Sequence, residues 1–269
     1  AGKRVVFQGL EGAYGHAAAL QFFGKDADIH HVRRFEDMMV EIQEGKADFA
    51  VLPIENSTAG AVNEIYDLLV EFENYIVGET IIPIKNTLSG LPGTDISEIE
   101  RVYSKAEALM QASHFLGDHG DWQQISVANT ALAAKKILED QDKRHAAECS
   151  AYAASVYGLS VLADNINDEK NNSTRFIVIT NQKVFLKDAT KISICLELPH
   201  ESSSLYHLLS HFAYNDLNMT KIESRPMEGK SWEYRFFIDF EGNLADPAVK
   251  NAIRGLREES RNLRILGNY

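Results

Sequence analysis

Three times before Tyr75 the chain repeats one pattern: a short β-branched or aromatic run, a break, then a stretch with helical spacing. Val5-Val6-Phe7 leads through Gly9 to an alanine-rich segment from His16 to Phe23. Ile29 to Val32 leads into a helix from about Phe35 to Glu44, and Phe49-Ala-Val-Leu52 reads as a buried strand stopped by Pro53. After Ser57 an amphipathic helix runs to about Phe72, with Val62, Ile65, Leu69 and Phe72 on one stripe. Strands that alternate with helices are joined by crossovers. That restricts the chain to a mostly parallel sheet covered on both faces.

From Tyr75 the pattern changes. Tyr75 to Val77 and Glu79 to Leu88 read as extended connections to a second α/β set. Its elements are strand Val102-Tyr103, helix Ala106 to Leu116, strand Ile125 to Ala128, helix Thr130 to Leu138 and helix Ala146 to Tyr157. Asn129 is the expected N-cap of the Thr130 helix, and Phe176 to Thr180 is a clean strand. Two small α/β lobes with extended crossings make a clamshell, periplasmic-binding-protein-like, whose ligand site is the cleft. Asn181 to Thr190 is a polar linker. Beyond it come strand Ile192 to Leu198, helix Ser203 to Ala213, strands Asn218 to Glu223 and Trp232 to Phe240, helix Pro247 to Glu259, and strand Leu263 to Leu266. That order, βαββαβ, is ferredoxin-like α+β. The expected domains are 3–182, with lobes at about 3–77 plus 165–182 and at 78–164, and 190–269.

Composition narrows the partners. The formal charge is −12, which leaves little base to build a nucleic-acid face. Cys149 and Cys195 stand far apart without metal spacing and read as small core residues. His207 and His211 form an i, i+4 pair opposite the stripe of Leu205, Leu208, Leu209 and Phe212. With no third ligand evident, they read as a solvated or subunit-facing side rather than a metal grip. No run of 18 apolar residues exists, so no membrane partner is expected. The opening residues Ala-Gly-Lys-Arg-Val-Val-Phe-Gln lack the apolar stretch of a secretory leader, and a cytoplasmic protein is the expectation.

Four segments carry residue types suited to chemistry. Gly9-x-x-Gly12-x-x-Gly15 precedes a helix; it is an anion cradle or a plain turn, and it matches neither a P-loop nor a dinucleotide fingerprint. Pro53-Ile-Glu55-Asn56-Ser57-Thr58-Ala-Gly60 lies past a strand end, where open α/β sheets bind ligands; Asn and Ser are also common caps. Ser173-Thr174-Arg175-Phe176 sets an Arg beside a hydroxyl at a strand start, which suits carboxylate binding with proton donation or a surface strand start. Ile222-Glu223-Ser224-Arg225-Pro226 with Trp232-Glu233-Tyr234 also fits an ordinary hairpin.

Together, and in this order, these segments resemble the prephenate dehydratase family with a C-terminal ACT regulatory domain, over nearly the whole chain. Pro53-Ile-Glu55-Asn56-Ser57 is similar to the family's first signature, Thr174-Arg175-Phe176 to its catalytic signature, and Asn218 to Pro226 with Trp232-Glu233-Tyr234 to its regulatory signature. The resemblance implies a carbon–oxygen lyase that converts prephenate to phenylpyruvate on the route to phenylalanine, with no metal and no organic cofactor. It implies Thr174 as hydroxyl donor to the leaving group and Arg175 as carboxylate anchor or organiser of the cleft. Glu55 orients its neighbours or acts as acid. Substrate contacts are implied for Asn56, Ser57, Gln111, Ser173 and Phe176. It also implies feedback inhibition by phenylalanine bound near Ser204, Leu205, Asn218, Glu223, Ser224 and Arg225, between paired ACT domains of a homodimer or homotetramer. A catalytically weakened aromatic sensor and an arogenate-using dehydratase are the alternatives. A clamshell binding protein without chemistry is disfavoured by the second domain.

The chain departs from the family pattern at three places. Gly15 stands where a hydroxyl residue is usual, Lys105-Ala106-Glu107 where His-Pro-Gln is usual, and Ser203-Ser204-Leu205 where Gly-Ala-Leu is usual. The first removes a hydrogen bond to substrate; the third crowds and polarises the mouth of a site that must accept a phenyl ring.

Overall fold

The computed structural model describes residues 2–269. The first stretch holds β1 (Arg4–Gln8), α1 (Tyr14–Phe23), β2 (Asp28–Val32), α2 (Phe35–Gln43), β3 (Phe49–Asn56), β4 (Gly60–Ala61), α3 (Asn63–Glu71) and β5 (Tyr75–Pro83). Then come β6 (Asn86–Gly90), β7 (Arg101–Ser104), α4 (Ala106–Gln111), α5 (Ser113–Gly117), β8 (Gln123–Ser126), α6 (Thr130–Asp140), β9 (His145–Ser150), α7 (Ala151–Val156), β10 (Ser160–Ala163) and β11 (Ser173–Thr180). The last stretch is β12 (Lys191–Leu198), α8 (Ser204–Tyr214), β13 (Met219–Pro226), β14 (Tyr234–Glu241), α9 (Pro247–Glu259) and β15 (Arg261–Asn268). The chain divides into two compact units, one running to Gly60 and resuming over Thr80–Phe176, the other formed by Ala61–Glu79 and Ile177–Tyr269.

The first unit contains two sheets. In one, β1 lies between β2 and β3 in parallel register, as the strand–helix alternation predicts. Its interior is made by Val5, Val6, Phe7, Ala50, Val51 and Leu52 under Ala18, Ala19, Met38 and Met39 of the covering helices. Pro53 does not stop β3. The ladder with β1 ends at Val51, so the missing N–H breaks no bond on that side and the strand continues to Asn56. The segment after Ser57 is not yet helical either: α3 begins only at Asn63.

The other sheet runs β10-β6-β9-β7-β8. Here the expected helix from Ala146 to Tyr157 is corrected: His145–Ser150 is strand β9, and only Ala151–Val156 is helical. Alanine favours helices, but this strand pairs with β6 on one side and β7 on the other. Small residues suit it because Ala147 packs against Ala133 and Ala134 of α6. Alternation along β9 then puts Ala146 and Glu148 on one face and Ala147 and Cys149 on the other. The helix expected over 106–116 is broken at Ala112 into α4 and α5. The break is held by a distant carboxylate. Asp168 accepts from Ser113 N–H at 3.1 Å, Ser113 Oγ at 2.6 Å and His114 N–H at 3.0 Å, capping α5. Asn129 caps α6 as expected, accepting from Leu132 N–H at 2.7 Å.

The second unit has the expected βαββαβ order, and its antiparallel strands run β13-β14-β12-β15. Ile192, Ile194, Leu196, Ile238 and Phe240 of the sheet form one core with Leu208, Phe212, Val249, Ile253 and Leu256 of α8 and α9. On the opposite sheet face Phe237 meets Tyr66 of α3, ring centroids 4.8 Å apart. Arg225 grips Asp67 with two bonds of 3.0 and 2.8 Å, and Arg264 donates to Leu69 O. Thus α3, expected in the first lobe, packs within this unit. One detail of α8 differs from expectation: Leu205 is exposed rather than part of the buried stripe. His207 is exposed and His211 partly so, its ring bonding Glu259 at 2.8 Å and packing against Gly255 of α9.

Candidate active site

The two polar signatures converge in the first unit. β3 delivers Glu55 and Asn56 at its C-terminal end, and β11 begins with Ser173, Thr174 and Arg175. Ser57 stitches them together. Its N–H donates to Ser173 O at 2.9 Å, its Oγ accepts from Ser173 N–H at 2.9 Å, and its hydroxyl donates to Asn172 Oδ1 at 3.0 Å. Thr58 Oγ1 donates to the same Asn172 oxygen.

Asn56 is held in one orientation. Its Oδ1 accepts from Thr58 N–H and Ala59 N–H, both at 2.9 Å, so its Nδ2 must point the other way. That nitrogen donates to Thr174 Oγ1 at 2.9 Å. Thr174 is 8% exposed, and its own hydroxyl proton has no acceptor among the described residues. Beside it, Arg175 Nε donates to Glu55 Oε1 at 2.7 Å. Glu55 and Arg175 are thus a pair across adjacent strands. Phe176 is 3% exposed and packs into the buried core beneath Arg175.

A second polar cluster lies on the β6–β9–β7 sheet, at the ends of β7 and β9 where parallel strands present ligand sites. Tyr14, at the start of α1, donates to Asn86 Oδ1 at 2.5 Å, and Asn86 Nδ2 donates to Glu148 Oε2 at 3.1 Å. Ser104 Oγ donates to Glu148 O at 2.7 Å. Gln111 ends α4, and its carbonyl accepts from Asp168 N–H at 2.7 Å. The clusters are joined through the backbone: Ile84 N–H donates to Asn172 O, Ile166 N–H to Asn86 O, and Asn86 N–H to Asn167 Oδ1.

The electrostatics favour neutral donors. Burial, with Asp168 adding to it and Asn86 opposing, pushes the Glu148 carboxyl up to about 8. Burial, then the charges of Cys149 and Glu148, raises the Tyr14 phenol, and burial pushes the Cys149 thiol up to about 12. Asp168 stays ionised: burial acts to raise it, but the hydrogen bonds from Ser113 and His114 together hold it below the usual range.

The glycine loop resolves as a turn. Gly9 N–H donates to Val32 O, Gly12 N–H to His16 Nδ1, and Ala13 N–H to Leu10 O, so these donors are spent inside the protein. Gly12 has φ of +89°, and a Cβ there would lie 3.1 Å from Ala153 Cα; only glycine lets the loop approach α7 so closely. The regulatory signature is spread over two faces of β13: Glu223 and Arg225 share one, while Ser224 is on the other. Ser204 and Leu205 open α8, and Asn218 O accepts from Glu241 N–H just before β13.

Tyr14, Asn86, Glu148, Asp168 and Asn172 join the site without a sequence signal that marks them. The one signal for Glu148 was a lone acid within Ala146-Ala-Glu-Cys-Ser150, which a helical reading turns toward solvent.

A sequence model of the family described as prephenate dehydratase matches residues 5–184. The bifunctional chorismate mutase/prephenate dehydratase of Aquifex aeolicus (strain VF5) is 38% identical over 268 residues, covering 99% of this chain and 73% of that protein. A solved prephenate dehydratase from Arthrobacter aurescens, in complex with L-Phe, has a TM-score of 0.90 at 31% identity and covers 98% of this chain and 89% of its own. GqqA, described as a novel type of quorum quenching acylase, has a TM-score of 0.90 at 29% identity and covers 98% and 96%. Likeness of fold alone therefore does not fix the reaction. The family match and the identity over almost the whole chain do fix the lineage: the chain belongs to the prephenate dehydratase family.

Proposed function

We propose that the chain carries out the decarboxylative dehydration of prephenate to phenylpyruvate, with Thr174 supplying the proton to the departing hydroxyl. The observation that carries this is the Asn56-to-Thr174 hydrogen bond of 2.9 Å. Accepting it polarises the threonine O–H and leaves its proton directed away from the protein. The bond from the ring to its carboxylate breaks, and the electron pair moves into the ring as CO₂ leaves. The ring C–O bond breaks at the far carbon, and the hydroxyl takes one proton and departs as water. The dianionic substrate plus one proton thus gives a phenylpyruvate anion, CO₂ and water. Threonine regains its proton from solvent. Donor hydrogen bonds at a developing leaving-group charge are worth about 100- to 10,000-fold in rate.

Around this donor, the Glu55–Arg175 pair holds the strand ends in register. Ser57, Ser173 and Gln111 supply neutral contacts. The two cysteines are buried and unpaired, as in a reducing cytoplasm. The Lys191–Asn268 fold is read as an ACT domain. The βαββαβ order supports this, as does the L-Phe bound by the Arthrobacter protein. Phenylalanine then binds near Ser204, Leu205, Asn218, Glu223, Ser224 and Arg225 in a homodimer or homotetramer and inhibits turnover.

The test is incubation of purified protein with prephenate, followed by phenylpyruvate absorbance in alkali beside an enzyme-free control. Acid is avoided because it drives the same reaction unaided. Arogenate is run in parallel, with phenylalanine as its product. Phenylpyruvate at the control level overturns the reading; turnover of arogenate alone reassigns the substrate.

A further inference from the structure

Glu148 is the acid for which the mechanism above has no use. It is 0% exposed and lies on the α4–α5 face of β9. Oε2 takes the Asn86 amide at 3.1 Å; Oε1 is buried without a hydrogen-bond partner, as is Asn167 Nδ2. Asn86 in turn accepts the Tyr14 hydroxyl at 2.5 Å and donates its N–H to Asn167 Oδ1 at 2.7 Å. The chain from Tyr14 through Asn86 to Glu148 is therefore directional, each donor pointing toward the carboxyl. It links α1, beside the first sheet, to the second sheet, next to the loop that leads into Thr174.

The groups that face Glu148 do not compensate a charge. The loop after β10 brings Asp168, an acid, and α1 brings the neutral Tyr14 phenol, while the neutral Cys149 thiol lies on the other face of β9. Strand β6 faces it with Asn86 and Leu88, β7 with Ser104, and no Lys, Arg or His is ion-paired to it among the described residues. A carboxylate with one side-chain donor and no cation is costly to bury, and a neutral acid costs much less.

We propose that Glu148 is a positioning residue: through Asn86 it fixes the Tyr14 hydroxyl between the two sheets and, as a neutral acid, adds no second negative charge beside Asp168 on the side of the cleft that receives a dicarboxylate substrate. The inference rests on the dehydratase reading for its substrate. Its consequence is a split in the kinetics. Ionisation of Glu148 above about pH 8 places a fixed negative charge behind the cleft, so KM for prephenate rises while kcat holds.

The experiment measures kcat and KM with prephenate from pH 6 to pH 9.5. The wild type should show a KM rise of about tenfold between pH 7 and pH 9. Glu148→Gln is neutral and keeps the acceptor for Asn86, so its KM should stay flat and match wild type at pH 7 within about threefold. Tyr14→Phe should raise KM at every pH yet keep the alkaline break. An equal alkaline rise in Glu148→Gln, or a flat wild-type profile, overturns the proposal. A second readout needs no turnover: difference infrared spectra at pH 7 should show a protonated carboxyl band that Glu148→Gln lacks. Its persistence in the variant, or its absence from wild type, overturns the neutral-acid assignment. Failure of wild type to release phenylpyruvate instead sinks the dehydratase reading and leaves the infrared test standing.

Discussion

The β6–β9–β7 sheet of the first unit and the ferredoxin-like sheet of the second unit are both buried, but their interiors differ in kind. The first puts Asn86, Thr87, Ser89, Ser104, Glu148 and Ser150 under cover, and Glu148 Oε1 has no hydrogen-bond partner there. The second puts Ile192, Ile194, Leu196, Ile238 and Phe240 against its helices. Polar residues on its other face are matched, as in Ser193 Oγ to Asp239 at 2.6 Å and Arg235 to Glu197 at 2.9 Å. An unmatched buried polar atom costs stability. The difference indicates that the first sheet gives up packing energy to bury polar groups, while the second is built to hold its shape. Substitutions that separate rate from stability distinguish the two sheets.

The largest effect should come from Thr174→Ala. Loss of a hydroxyl that acts in the transition state should lower kcat about 100- to 10,000-fold with little change in KM. Thermal stability should stay near wild type, because only one accepted hydrogen bond is lost. Steady-state kinetics beside a melting curve checks both halves, and comparable turnover in mutant and wild type removes Thr174 as the proton donor.

Phe240→Ala is the converse. A fully buried ring in the second unit should cost about 3–5 kcal/mol of stability, read from urea unfolding, with kcat per folded molecule unchanged. A large kcat loss in folded protein would show that this sheet also shapes the reaction.

Glu148 makes the stability of the first unit depend on pH. Its folded-state value lies near 8, raised from an ordinary value of 4.5. Below 4.5 both folded and unfolded chains hold the proton, and the stabilising contribution is fully present. As pH rises toward 8 the unfolded chain releases the proton and the folded one does not. Stability should then fall by at most about 1.4 kcal/mol per pH unit, levelling off above 8. Glu148→Gln should lack this slope; a parallel slope in both proteins assigns it to other groups.

Two smaller effects test the departures from the family pattern. Ser203 precedes α8 with φ of +63°, a left-handed conformation that costs a side chain about 1 kcal/mol. Ser203→Gly should raise the melting temperature slightly and tighten phenylalanine binding by calorimetry. Gly15→Ser should be accepted, since a Cβ there meets Gln8 O and the Phe7 ring at 3.5 Å. It should raise kcat/KM a few-fold by restoring a hydroxyl near the cleft, and an unchanged kcat/KM would place that hydroxyl outside the reaction.

The site was legible in proportion to how local its residues are. Pro53 to Ser57 and Ser173 to Phe176 each stand together in the chain, and each carries residue types suited to hydrogen bonding at a strand end. The link between them was not legible. Nothing near Asn56 in sequence says that its amide meets Thr174, because that contact spans strands far apart in order. The Asp168 cap that breaks the helix at Ala112 was invisible for the same reason. Glu148 was misread along with its strand: alanine-rich sequence favours a helix until two flanking strands and α6 demand small residues in an extended one.

By itself the sequence determined the alternation of strands and helices, the βαββαβ order, the polar signatures and the family. These depend on periodicity and on residues adjacent in the chain, which hydrophobic burial and backbone geometry read locally. Only the tertiary structure decided that α3 packs in the second unit, that Glu55 holds Arg175, and that a buried acid stands behind Asn86 and Tyr14. Each of these depends on the partner across a long loop. A charge or a helix stripe specifies that it needs a partner, and the fold supplies which one.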